Sequence, residues 1–592
     1  MKRVGLVFAF LCFSEASAQQ AADAVQPEPA TQGAFAAISP EIDAAFSAKA
    51  ASQPIEASNW MVVAANPWAV QAGADVLRAG GTAADALVAV QAMLGLVEPQ
   101  SSGIGGGAFL VYYDAGTDQL TTLDGRETAP LAATPRLFQD ADGEPLGFFD
   151  AVVGGRSVGT PGTPALMAEA HDRWGVLSWA DLLAPAIALA ETGFPVSPRL
   201  AGLIEADQER LSRFEATASY FLPEGKPLTV GDTLMNDGYA ETLRAISIGG
   251  AQAFYTGEIA HDIVDTVQSV ESNPGVLTAL DLSIYRVKER VPVCATYRAH
   301  EVCGMGPPSS GALTVGQILG LLDGYDLSAG PNDPTVRRLM GDASRLAFAD
   351  RGRYMADSDY VPVPARGLLD PGYLAERAKL LATDAALVEI QPGAPEYDHA
   401  LNWADDASLE LPSTSHFVIV DSAGNVASMT TTIENAFGSR LMVRGFLLNN
   451  ELTDFSFRSH KDGLPIANRV EPGKRPRSSM APTIVMKDGN PVLAIGSPGG
   501  SRIIGYVAES IIAYLDWGMN IQEAVSVPHA VNRFGTYDLE EATQSEALAD
   551  PLAQMGFEIQ TRALTSGLHA ISIGSMLRGG ADPRREGIAI GE

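Results

Sequence analysis

An α+β fold is what the sequence predicts, on three observations. The chain of 592 residues, 46% hydrophobic and 19% charged, can bury a large core. Its middle, roughly residues 160 to 385, is dominated by helical patterns such as TPALMAEAHDRWG and PTVRRLMGDASRLAFADRGRYMA, with no internal repeat. After an acidic, proline-bearing stretch at about 391–412, QPGAPEYDHALNWADDASLELP, short alternating runs of strand type take over, and that stretch reads as an exposed linker.

Taken in order, the chain opens on MKRVGLVFAFLCFSEASAQQ. Lys2 and Arg3, an apolar run from Val4 to Phe13, and the small-residue pattern Ala16-Ser17-Ala18 predict an export signal, residues 1–18, cut after Ala18. A lipid-bearing Cys12 is the weaker alternative, because Phe10 and Leu11 are bulky where such sites want small residues. The product would be exported, periplasmic or secreted. Residues 19 to about 57 are rich in Ala, Gln and Pro and are expected to be flexible. Helices are predicted at 67–79 and 83–97, separated by Gly80-Gly81 and with Thr82 as N-cap of the second. The 83–97 segment is apolar, but its 15 residues with Asp85 and Gln91 are too few to span a membrane. SSGIGGGAFLVYYD then runs from a glycine-rich turn into a strand, and TTLDGRETAP predicts a second strand carrying Arg126.

Farther on, RVPVCATYRAHEVCGMG reads as two short strands around Tyr297-Arg298, which would set Cys294 opposite Cys303. A disulfide there suits an oxidising compartment; two separate buried thiols are the alternative. Too few ligands surround them for a metal, and no cofactor is implied elsewhere. The net charge of −31 at pH 7 and a pI near 4.6 argue against nucleic acid, whose phosphates such a surface repels. Searched for hydrolase signatures, the chain has no G-x-S-x-G elbow, no H-E-x-x-H and no P-loop. SSGIGGGAF precedes a strand where a dinucleotide fingerprint would open a helix, so it reads as a tight turn with close backbone approach.

The join after the linker is more informative. In LPSTSHFVIVDSAGN, His416 to Val420 make a strand, 422–425 a turn, and Val426 to Ile433 a returning strand. Thr414 therefore stands at a strand's mouth. By itself Ser-Thr-Ser is a polar lead-in. Were the Ser413–Thr414 bond cut, however, Thr414 would own both a hydroxyl and a free α-amine. That amine has an ordinary pKa of about 8, suited to a general base near neutral pH, and threonine activated in this way needs no histidine.

Downstream, TSHFVIVDSAGNVASMTTTIENAFGS, FLLNNELTDF, GKRPRSSMAPTIV and IGSPGGSRII, in that order and spacing, closely resemble the small subunit of the γ-glutamyltransferases. GGTAADALVAV, EPQSSGIGGGAF, DGRETAP, VGTPGTPALM and PPSSGALTVGQIL resemble its large subunit, so the resemblance spans nearly the whole mature chain. It implies an N-terminal nucleophile hydrolase with a four-layer αββα sandwich, made as a self-cleaving precursor. The large chain would run over 19–413 and the small chain over 414–592, the two forming a heterodimer. Thr414 would cut its preceding bond, then attack the γ-amide of glutathione or another γ-glutamyl compound, and water, an acceptor amino acid or a dipeptide would resolve the resulting ester.

The same resemblance assigns roles residue by residue. Thr432 would hydrogen-bond the nucleophile; Glu434, two residues on and expected on the same strand face, would join Glu451 and Asp454 in holding the substrate's α-ammonium. Arg126 would bind the α-carboxylate, a task suited to a bidentate guanidinium, helped by Ser478 and Ser479. Gly499 and Gly500 would present N–H groups to the oxyanion. Three departures stand out. Many members have asparagine where this chain has Glu434; Arg477 replaces a common leucine and places a cation near the carboxylate subsite; and residues 455–477, where some relatives carry a mobile lid, contain no Tyr or Trp to gate the cleft. A related acylase, acting on glutaryl or cephalosporin side chains or on poly-γ-glutamate, is the alternative, but a glutaryl group has no ammonium for the three carboxylates.

Overall fold

The computed structural model describes residues 35, 38–399, 402–408 and 410–592. The expected export signal, residues 1–18, lies outside them. Two seven-stranded sheets organise the molecule. The first runs in the order Ile588–Gly591, Met61–Ala64, Ser415–Val420, Val426–Thr432, Gly107–Asp114, Gln119–Gly125, Lys288–Arg290. The second runs Ile55–Ala57, Leu577–Ala581, His569–Ile573, Asn490–Gly496, Thr483–Lys487, His300–Gly304, Val293–Tyr297. Both are antiparallel throughout.

Side-chain alternation decides which face of each strand meets what. In Ser415–Val420, Phe417 and Ile419 join a core shared with helices, while Val418 and Val420 join a core shared with the other sheet. Met61–Ala64 divides in the same way, with Val62 and Ala64 toward helices and Met61 and Val63 toward the facing sheet. From the second sheet Ile484, Met486, Ala494 and Ile571 enter the same inter-sheet core. Its outer face, with Val485, Leu493, Ile495 and Ala570, packs on helices Gly311–Leu322, Pro334–Tyr354 and Ile503–Leu515.

Most local expectations hold within a residue or two. Helices occur at Pro67–Arg78 and Ala83–Val97, and Thr82 closes a capping box with Asp85 that satisfies two otherwise unpaired amides. Among the described residues no helix is long and apolar enough to cross a membrane. The hairpin turns at Arg298-Ala299, both at positive φ (47° and 59°) as a tight two-residue turn requires, one residue later than expected. Cys294 faces Cys303 across it, and the two are joined in a disulfide, Cα to Cα 4.0 Å.

Three expectations need correction. Part of the supposedly loose N-terminal stretch is ordered: helix Pro40–Ala50 buries Ile42 and Phe46, and Ile55–Ala57 adds an edge strand to the second sheet. Its low sequence amphipathicity hid a segment held by packing. The linker is not exposed along its length, because Trp403, Glu410, Leu411 and Ser413 are buried. Glu434 is not on the strand of Thr432; that strand ends at Thr432, and Glu434 takes φ +74°, which no strand accommodates.

Candidate active site

Thr414 sits one residue before strand Ser415–Val420, an interior strand of the first sheet, and is 5% exposed. Its φ is +92°, a region that a β-branched L-residue enters only when its surroundings force it, at a cost of about 1–3 kcal/mol. The surroundings are in place on both sides. Ser413 Oγ donates to the carbonyl of Gln100 (3.3 Å), Ser415 Oγ donates to Glu98 (3.1 Å), and Arg585 Nη1 donates to the carbonyl of Thr414 (3.3 Å). Strain is thus held at the Ser413–Thr414 peptide.

Two threonine hydroxyls and a glycine amide meet there. Thr414 Oγ1 donates to Thr432 Oγ1 at 3.0 Å, and the Thr432 hydroxyl also accepts the Glu434 N–H at 2.8 Å. Gly106 lets the backbones close on this point, since a Cβ there would lie 1.9 Å from the Thr432 carbonyl oxygen. The carbonyl of Ser413 accepts a hydrogen bond from Gly499 N–H at 3.1 Å. Gly499 reaches this pose at φ +135°, open to glycine alone.

Arg126 leaves the end of strand Gln119–Gly125 fully buried. Its Nη1 pairs with Glu451 and its Nη2 with Asp454, both on the single helical turn Glu451–Asp454. Nη2 also donates to the Arg477 carbonyl (2.9 Å) and Nε to that of Pro476 (3.3 Å). Burial works to lower the Arg126 pKa, but Glu451 and Asp454 outweigh it and the guanidinium stays charged. Glu434 lies alongside and accepts from Asn450 Nδ2. Burial, then repulsion from Asp454 and Glu451, pushes the Glu434 carboxyl well above the usual range. Burial raises Asp454 strongly and Glu451 as well, with Arg126 pulling both back, and Glu127 is raised by burial and by Glu451. Four buried carboxylates around one arginine leave an excess of negative potential, which a cation such as an ammonium relieves.

On the opposite wall, Ser479 Oγ donates to Glu410 and accepts from Arg351 Nη2 at 2.6 Å, while Ser478 Oγ accepts the Met480 N–H at 3.1 Å. The Glu410 carboxyl, against the effect of burial, is held down to about 2 by Arg351 and Arg477. Thr414, Thr432, Arg126, Glu434, Glu451, Asp454, Ser478, Ser479 and Gly500 all line one cavity, and Gly499 touches it through the Ser413 carbonyl. That cavity measures only about 20 Å³, room for about one water, because Glu410 and Leu411 of the linker form part of its wall.

Sequence reasoning overlooked Glu410, Arg351 and Glu127. Glu127 adjoins Arg126 and Glu410 precedes Thr414 by four residues, so proximity in sequence was a usable signal for both; Arg351 lies inside a long helix and carries none.

The γ-glutamyltranspeptidase family model matches residues 69–592. The chain belongs to that family. The glutathione hydrolase proenzyme of Bacillus subtilis (strain 168) is 40% identical over 546 residues, covering 90% of this chain and 91% of that protein. Among solved structures, cephalosporin acylase from Bacillus halodurans superposes with a TM-score of 0.81 at 28% identity, covering 91% of this chain and 97% of that one. Helicobacter pylori γ-glutamyltranspeptidase matches with a TM-score of 0.53 at 35% identity, over 55% of this chain and 94% of that one.

Proposed function

We propose that Thr414 first cuts its own chain and then serves as nucleophile in γ-glutamyl transfer. The protein is a self-processing γ-glutamyltransferase and glutathione hydrolase, a reading supported by family membership over nearly the whole chain. For the residue roles one observation carries the proposal: the Ser413 carbonyl accepts Gly499 N–H while the Thr414 hydroxyl, in the adjoining residue, is held by Thr432.

In the first step Thr414 Oγ attacks the Ser413 carbonyl carbon, and Gly499 N–H stabilises the negative oxygen that forms. Collapse breaks the C–N bond, the proton lost by the hydroxyl ends on the departing Thr414 nitrogen, and an ester remains. Water hydrolyses that ester, leaving a Ser413 carboxylate and a Thr414 with a free amine. In turnover the amine takes the hydroxyl proton, Thr414 Oγ forms an ester with the γ-carbonyl of the donor, and the leaving amine departs protonated. Water or an acceptor amine then releases the γ-glutamyl group. The carboxylates Glu434, Glu451 and Asp454 would hold the donor's ammonium, Arg126, Ser478 and Ser479 its carboxylate, and Gly500 would add an oxyanion donor.

The two facing sheets with helices on their outer faces are read here as the four-layer αββα sandwich of an N-terminal nucleophile hydrolase. Its large chain would end at Ser413, its small chain begin at Thr414, and the pair would act as an exported heterodimer. Kinship with a cephalosporin acylase keeps a side-chain acylase as a second reading, but the buried carboxylate excess favours a donor with an ammonium.

The test is denaturing electrophoresis of wild type beside Thr414→Ala, with turnover of a γ-glutamyl anilide. Two wild-type bands, one Thr414→Ala band and activity only in the former are expected. A single wild-type band would sink the mechanism, and activity on glutaryl but not γ-glutamyl amides would move the enzyme to the acylases.

A further inference from the structure

Lys49 stands in the last turn of helix Pro40–Ala50, ahead of the stretch 69–592 that carries the family match. The helix packs on strand Ile588–Gly591. From there the Lys49 ammonium reaches the loop 582–587 that leads into that strand, and it donates to three main-chain carbonyls: Gly587 at 2.6 Å, Arg585 at 2.8 Å and Asp582 at 3.5 Å. Three carbonyl oxygens turned toward one point repel each other. An ammonium, with three donors and a full charge, is the group that gathers them.

The loop is fastened on its other flanks as well. Asp582 Oδ2 accepts from the Leu568 N–H at 3.1 Å and from Ser566 Oγ, and Glu586 Oε1 accepts from the Arg199 N–H at 3.0 Å. At Gly587 a Cβ would lie 2.2 Å from His569 Nε2 and 2.7 Å from the Ala64 carbonyl oxygen, so the main chain runs hard against that wall. Lys49 adds a grip on the main chain of Arg585 itself.

What the loop presents to the site is the Arg585 side chain. Arg585 is buried, and its Nη1 donates to the Thr414 carbonyl at 3.3 Å. That carbonyl belongs to a residue held at φ +92°, and rotation about Thr414 is how such a backbone relaxes. A guanidinium on the carbonyl opposes the rotation and so keeps the Thr414 hydroxyl beside the peptide it is to attack. Contacts therefore run without a break from Lys49 through the loop to Arg585 and on to Thr414.

We propose that Lys49 is a positioning residue for self-cleavage: by gathering the carbonyls of the loop 582–587 it sets Arg585 on the Thr414 carbonyl and holds the Ser413–Thr414 peptide in its strained pose. This rests on the reading of Thr414 as the self-cleaving nucleophile. Lys49 touches no reacting atom and acts only through Arg585. The helix Pro40–Ala50 thereby belongs to the cleavage apparatus as well as covering the core.

The test times the conversion of one band to two in full-length chains made by cell-free synthesis. Folding is read separately, from the melting temperature of each variant combined with Thr414→Ala, which cannot cut. Lys49→Met should slow cutting by about tenfold, as loss of a charged hydrogen-bonding partner implies, and Lys49→Arg should recover most of the rate. Arg585→Met should slow cutting at least as much. The double variant should then be no slower than Arg585→Met to within about twofold, because both changes break one chain of contacts. Ile42→Ala, at a fully buried position of the same helix, should lower the melting temperature yet cut at close to the wild-type rate. Should Lys49→Met fail to fold, Lys49→Gln, which keeps a donor without the charge, replaces it in every comparison. A folded Lys49 variant that cuts at the wild-type rate, losses that multiply in the double variant, or an equal slowing by Ile42→Ala overturns the proposal and leaves the reading of Thr414 intact. A wild-type chain that stays in one band overturns that reading itself.

Discussion

Thr432→Val removes one oxygen from the centre of the site and nearly nothing else. The replaced hydroxyl accepts from Thr414 Oγ1 at 3.0 Å and from the Glu434 N–H at 2.8 Å, and its residue is 2% exposed, so water does not readily take its place. Leaving the Glu434 amide unpaired in the interior costs about 1–3 kcal/mol of stability. Losing the hydrogen bond that orients the proposed nucleophile, Thr414, costs about 1–2 kcal/mol in the reacting geometry, which corresponds to a rate roughly five- to thirtyfold lower. Because one hydrogen bond serves both reactions, self-cleavage and γ-glutamyl turnover should slow together. The assay is the time course of the two bands after synthesis, followed by kcat on the processed fraction, with Thr432→Ser as the variant that keeps the oxygen and recovers most of both rates. Folded Thr432→Val that cuts and turns over at the wild-type rate would refute the reasoning.

Gly499→Ala would place a Cβ 2.9 Å from Tyr506 Cε2 on a backbone at φ +135°, so the N–H must move off the Ser413 carbonyl; processing should slow by about 10²–10³, read from the bands. Glu434 has a folded pKa above its unfolded value of about 4.3, so its charge opposes folding at any pH above that value, and Glu434→Gln should raise the melting temperature at pH 7 while raising KM for the donor. By the same sign, protonation of Glu434 and Asp454 should begin at a higher pH than for ordinary carboxylates as pH falls, and KM should climb there, with the Glu434→Gln profile flatter. Reducing the Cys294–Cys303 disulfide, which closes a separation of 9 residues, should lower stability by roughly 2–3 kcal/mol in denaturant unfolding, with no effect of reductant on Cys294→Ser/Cys303→Ser.

What the sequence by itself determined is whatever short-range chemistry controls. Alternation in 415–420 and 426–432 predicts both central strands, Thr82 and Asp85 predict a helix start, and Thr414 is placed at a strand's mouth by its neighbours alone. Ordered motifs then carry the family. Only the tertiary structure decided what long-range packing controls. Arg126 meets Glu451 across 325 residues, and no local period encodes such a contact. Glu434 leaves the strand because its amide is claimed by the Thr432 hydroxyl, and the Pro40–Ala50 helix is ordered by the core it covers rather than by its own pattern. The linker showed the sharpest difference. An acidic, proline-bearing composition favours solvent, but buried guanidiniums at Arg351 and Arg477 offer its carboxylates a stronger partner than water, and that exchange draws Glu410 into the site.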